Sequence, residues 1–141
     1  MATQKKILNA GVSSDIGFSL AEYWLSLGHQ VVGTFRNNSL KLAALSPKLG
    51  GLYHCDLKVK KSITNCIKKL RKEAHGWDAL VVCPATMLPI APFEKTDIDT
   101  WMESFSINFL SIVQLLHGAL QFRSSSGKPV VINFAGAGSN N

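Results

Sequence analysis

Gly11-Val12-Ser13-Ser14-Asp15-Ile16-Gly17 is the stretch of this chain whose residue types and spacing are best suited to chemistry. Gly11 lets the chain turn sharply, and Gly17 lets the segment that follows pack close to the one before it. From Ile16 the apolar side chains recur at helical spacing, so the turn opens a helix. The first N–H groups of a helix have no partner within it, and partial positive charge gathers there. Ser13 and Ser14 add hydroxyl donors. Such a turn suits a phosphate, and in particular the pyrophosphate of a dinucleotide. Two glycines alone are a weak signal. Their position strengthens it, because they follow the first apolar run and open the first helix. Asp15 works the other way. Its carboxylate can cap the helix, but unless it points away it repels an incoming pyrophosphate.

Other reactive residues are scattered. Cys55, Cys66 and Cys83 lack metal-ligand spacing and each sits in an apolar run, which reads as reduced core thiols in a cytoplasmic setting. His29, His54 and His75 lie near the ends of elements, and His117 lies on a long helix, none with a partner legible in the sequence. The net charge of +6 is local in origin. Lys58, Lys60, Lys61, Lys68, Lys69, Arg71 and Lys72 crowd one segment. Without interleaved aromatics this reads as a solvated helix face rather than a nucleic-acid stripe. The longest apolar stretch, Ala79 to Phe93, is broken by Pro84, Pro89 and Pro92, so no membrane span is expected.

The elements that must position the turn alternate along the chain. Strands are expected at Lys6–Ala10, Gln30–Phe35, Gly51–Cys55, Asp78–Cys83 and Pro129–Phe134. Helices are expected at Ile16–Leu27, from Asn37-Asn38-Ser39 through Leu45, at Ser62–Ala74 and at Asp97–Gln121. On the first helix Ile16, Leu20, Trp24 and Leu27 form the apolar stripe. On the last, Trp101, Phe105, Asn108, Phe109, Ile112, Leu115, Leu116 and Ala119 are expected to face inward. Continuously apolar strands alternating with amphipathic helices imply a parallel sheet covered on both faces. The expected fold is a doubly wound, Rossmann-like α/β sheet of about five strands, forming one domain over residues 1–141. Ligands of such sheets bind at the carboxyl ends of the strands.

The pattern resembles the short-chain dehydrogenase/reductase family along its whole length. Ala10 to Gly17 is similar to that family's Thr-Gly-x-x-x-Gly-x-Gly turn, and Cys55-Asp56-Leu57 to its acidic residue after the third strand. Asp78 to Ala85 resembles the fourth strand and its Asn-Asn-Ala-Gly end, Ser106-Ile107-Asn108 the helix carrying an active-site Asn, and Val130 to Phe134 the fifth strand. The resemblance implies a dinucleotide held by Gly11, Ser13, Ser14, Asp15, Ile16 and Gly17, by Asp56 and Leu57 at the adenine, and by Pro84 and Ala85. It places Asn108 beside the active site, holding a water in a proton relay. A buried Asn bonded to backbone is the plainer alternative. An acid at the end of the second strand would bind the ribose 2′-hydroxyl of NAD. Phe35 stands there and Arg36 follows, and a guanidinium suits a 2′-phosphate. NADP is therefore the expected cofactor, with NAD second.

The pattern also departs from the family. Asp15 replaces a glycine, and Val82-Cys83-Pro84-Ala85 lacks both asparagines. Gly136 stands where the substrate-orienting Ser would be, with Ser139 three positions later. The Tyr-x-x-x-Lys motif would fall beyond Asn141, and neither Tyr23 nor Tyr53 has a Lys four positions on. The expectation is an N-terminal, truncated oxidoreductase domain that binds NADP(H) without catalysis of its own. The alternative is a non-catalytic dinucleotide-binding or purely structural oligomerising module. Left as an edge, the fifth strand is expected to drive self-association, through itself or through the helix at 97–121.

Overall fold

A computed structural model describes residues 3–134. The strands are β1 (Lys6–Ala10), β2 (Gln30–Phe35), β3 (Gly51–His54), β4 (Ala79–Val82) and β5 (Val130–Asn133). They form one parallel sheet in the order β3-β2-β1-β4-β5. The chain moves outward from β1 to β3, then returns to the other side of β1. The switch in strand order therefore falls between β1 and β4, where open α/β sheets bind ligands.

The strands sit where the alternating pattern puts them, within a residue at each end. Strand parity sorts the side chains into two cores. Ile7, Val31 and Val81 face α1 (Asp15–Ser26) and α2 (Leu40–Leu45). Leu8, Val32 and Leu80 face α3 (Lys60–Glu73) and the helical segment from Ile98 to Leu120. Trp77 is fully buried just before β4, and its indole N–H donates to the Ala119 carbonyl at 2.9 Å. That bond ties the last helix to the sheet. On α3 the stripe of Ile63, Cys66 and Leu70 is buried, while its lysines lie in solvent. Among the described residues no helix is long and apolar enough to cross a membrane.

Two expected stripes are corrected. On α1 the residues turned to the sheet are Gly17 and Ala21, with Leu20 and Trp24 partly covered, whereas Ile16 and Leu27 are more than half exposed. The cause is the close approach at Gly17, which only a residue without Cβ allows. The helix expected at 97–121 is three segments: α4 (Ile98–Phe105), a π turn (Ser106–Leu110) and α5 (Ser111–Leu120). In the π turn the Ser111 N–H reaches back five residues to the Ser106 carbonyl. The wider turn shifts the phase of the helix face. Ser104, Ile107, Ser111, Ile112, Leu115 and Ala119 are buried. Trp101, Phe105, Asn108 and Phe109 are exposed rather than inward. β5 is also open, with Val130, Val131 and Ile132 between 40% and 51% exposed.

Candidate functional site: a cleft over the switch point

The turn after β1 is held by bonds that leave its outward N–H groups free. Gly11 has φ +90°, a region that favours glycine. Its N–H donates to Thr34 Oγ1 at 3.0 Å, and the Val12 N–H donates to the Thr34 carbonyl at 2.8 Å. These bonds fasten the turn to β2. Ser14 closes the loop from inside. Its hydroxyl donates to the Gly11 carbonyl at 2.8 Å and accepts the Gly17 N–H at 3.0 Å, which makes it the cap of α1. A Cβ on Gly17 would lie 2.2 Å from the Gly11 carbonyl oxygen, so glycine is required there. The N–H groups of Ser13, Asp15 and Ile16 have no partner among the described residues. They are the donors available to an anion.

The Asp15 carboxylate does not cap the helix. Ser14 holds that place, and the Asp15 side chain is 98% exposed, 3.6 Å from Lys41 Nζ. It points away from the cleft, with its charge partly matched.

The cleft has a volume of about 440 Å³, within the range of small-molecule sites. The expected residues Gly11, Ser13, Ser14, Arg36, Asp56, Leu57, Pro84 and Ala85 line it. Asp15, Ile16, Gly17 and Asn108 do not line it. Thr34, Asn37, Asn38, Ser39 and Cys55 are among the other residues of the wall. Thr34 carried a signal in the sequence, as a polar residue inside an apolar strand. The Arg36 N–H lies 3.5 Å from Ser13 Oγ, so the end of β2 abuts the turn. Asn38 Oδ1 accepts the Ser39 N–H at 2.9 Å, and the Ser39 hydroxyl caps α2.

The turn after β3 is ordered by its own polar groups. Asp56 Oδ1 accepts the Lys58 N–H and the Asp56 N–H donates to Ser62 Oγ, both at 2.9 Å. The carboxylate thus braces the approach to α3. The Leu57 carbonyl accepts the Ser111 hydroxyl at 2.7 Å. Lys58, also on the cleft wall, is ion-paired with Glu103.

After β4, Pro84 packs on Gly11, where its Cδ would lie 2.8 Å from any added Cβ. Burial pushes the Cys83 thiol up to about 11, so it adds no negative charge to the wall at neutral pH. The Cys66 thiol is likewise held neutral, its pKa raised by the neighbouring Cys55 thiol and by burial. Asn108 clasps the backbone of Thr86, its Oδ1 accepting the N–H and its Nδ2 donating to the carbonyl, each at 2.8 Å. Nδ2 also lies 3.3 Å from Ser104 Oγ. Its amide is thus satisfied by the Thr86 backbone and Ser104, on an exposed rather than a buried side chain. Gly136 and Ser139 lie outside the described residues. Among the described residues no group of three His, Cys, Asp or Glu side chains is placed to hold a metal ion.

Comparison with known proteins fits this geometry. Residues 11–141 match a family model described as enoyl-(acyl carrier protein) reductase. An uncharacterized oxidoreductase of Saccharomyces cerevisiae is 30% identical over 139 residues, covering 92% of this chain and 53% of its own. The crystal structure of that yeast short-chain dehydrogenase/reductase superposes with a TM-score of 0.72 at 28% identity, over 84% of this chain and 48% of its own. A blue fluorescent protein from a metagenomic library, solved with NADPH, shares the fold at a TM-score of 0.78 and 17% identity, over 92% of this chain and 54% of its own. An NADH-dependent reductase solved with NAD does so at 0.79 and 19%, over 93% and 59%. With the turn, the strand order and the matched family model in agreement, this chain belongs to the short-chain dehydrogenase/reductase family and spans about half the length of the relatives it matches.

Proposed function

We propose that the chain is the dinucleotide-binding half of a short-chain dehydrogenase/reductase-like oxidoreductase, that it prefers NADP(H), and that it performs no carbonyl reduction alone. The observation that carries this is the cleft itself. An unpartnered N–H group, that of Ser13, stands at one wall, with the unpartnered N–H groups of Asp15 and Ile16 next along the turn, and Arg36 lines the cleft at the end of β2. The N–H groups can hold a pyrophosphate and Arg36 a 2′-phosphate. No acid occupies the position that would favour an unphosphorylated ribose, since that place is Phe35. Reducing a carbonyl also needs a positioned proton donor. Tyr23 lies exposed on α1 and Tyr53 packs against the core, and neither lines the cleft.

Calorimetric titration tests this. NADPH should bind more tightly than NADH. Arg36→Ala should weaken NADPH about tenfold and leave NADH nearly unchanged, the scale of one charge-assisted hydrogen bond at an exposed site. No binding of either at millimolar concentration, with no effect of Arg36→Ala, would leave a structural module as the better account.

The same proposal includes self-association. The apolar edge of β5 and the exposed, stacked Phe105 and Phe109, 5.2 Å between centroids, offer surfaces that hydrophobic burial favours covering. Light scattering should give a mass above one chain that falls on dilution. A strictly monomeric species at high concentration would refute it.

A further inference from the structure

β1 contains a polar residue that the sheet does not need. Asn9 is fully buried in a strand whose same-face neighbours are Ile7, Val31 and Val81. An amide there is unfavourable unless its bonds are made, and a valine would meet the same packing without that demand. The bonds Asn9 makes run to both sides of the cleft. Its Nδ2 donates to the Gly17 carbonyl at 2.7 Å, in the first turn of α1. Its Oδ1 faces the Cys83 thiol at 3.9 Å, at the end of β4. Gly17 is also the residue whose N–H the Ser14 cap holds. The amide therefore grips the one residue on which the turn closes. Gly11, meanwhile, rests against Pro84, the neighbour of Cys83.

Resting on the dinucleotide reading of this cleft, we propose that Asn9 is a positioning residue for the cofactor. It is a buried clasp that fixes the phosphate turn to the sheet and sets its separation from the end of β4. It touches no ligand. Its effect is to aim the free N–H groups of Ser13, Asp15 and Ile16 before a ligand arrives, so that binding need not order them. Because those donors face the pyrophosphate, common to NADPH and NADH, the clasp serves both dinucleotides equally. Arg36 serves one.

The test is Asn9→Val, a substitution that suits a buried strand and leaves the Gly17 carbonyl its partner within the helix. Affinities for NADPH and NADH should both fall about tenfold, the order of one buried hydrogen bond, with their ratio unchanged. Amide hydrogen exchange over residues 11–17 of the unliganded protein should speed up, which loss of global stability alone would not confine to that turn. Unchanged affinities, or unchanged exchange in the turn, would overturn the proposal. So would a loss limited to NADPH, because that places the effect at Arg36. Failure of the wild-type protein to bind either dinucleotide would instead sink the reading of the cleft, and the clasp with it. Should Asn9→Val not fold, Asn9→Thr, whose hydroxyl is too short to reach Gly17, gives the same exchange readout.

Discussion

Replacing Gly17 with alanine tests the turn most directly, because the cost follows from geometry. The added Cβ would sit 2.2 Å from the Gly11 carbonyl oxygen and 2.9 Å from Ser14 Oγ, against the 3.0 Å below which Cβ contacts are essentially never found. The near atoms are backbone and a cap, not the tip of a flexible side chain. The start of α1 and the turn must therefore move apart by the better part of an ångström. That motion works against three bonds: Ser14 Oγ to the Gly11 carbonyl, the Gly17 N–H to Ser14 Oγ, and Asn9 Nδ2 to the Gly17 carbonyl. At about 1 kcal/mol net for each, the loss should be roughly 3 kcal/mol. Urea unfolding should show the midpoint falling with an unchanged slope. Gly28→Ala is the control. Gly28 has φ +79° with nothing within 4 Å of an added Cβ, so only backbone strain of about 1–2 kcal/mol applies. If Gly17→Ala unfolds within about 0.5 kcal/mol of wild type, or costs less than Gly28→Ala, the close approach at the turn does not exist as described.

Two further perturbations address the charge around the cleft. Asp15→Asn should leave NADPH affinity within about threefold of wild type, since the carboxylate is solvent-exposed and turned toward Lys41, where water and salt screen it. A tenfold gain in titration would show that Asp15 does face the ligand. Cys83 should resist iodoacetamide at neutral pH. Burial raises its pKa from 9.0 to about 11, so the neutral thiol persists well above the usual range and the reactive thiolate emerges only as pH rises through about 11. Its labelling at pH 8, followed by mass spectrometry of the modified peptide, should run roughly a hundredfold slower than that of an unperturbed thiol. Labelling at an ordinary rate would refute the burial.

Much of the architecture was legible in the residues. The apolar runs at Ile7-Leu8, Val31-Val32 and Leu80-Val81-Val82 read as buried parallel strands, and they are. Gly11 and Gly17 marked the turn, and Arg36, Asp56, Leu57, Pro84 and Ala85 were placed on one cleft wall or another. The face of the last helix was not legible. Periodicity assumes a constant turn, and the π turn at Ser106–Leu110 breaks that assumption without leaving a mark in composition. Nor did residue type say that Ser14 would turn inward as a cap, or that Asp15 would turn outward. Either side chain could serve either purpose until the packing of α1 against β1 decided which one fitted.

The order and type of the elements and the place of the phosphate turn are written in the residues themselves. These depend on local properties: strand alternation, helical spacing, and glycine where a side chain would collide. How the cleft's polar groups are used emerges only once the elements are packed together. Thr34 and Asn9 hold the turn across 23 and 8 residues of sequence, and Asn108 holds Thr86 across 22. A hydrogen bond depends on where its partner lies in space. That position is set by the sheet order and by helix phase, which no single stretch of the chain encodes.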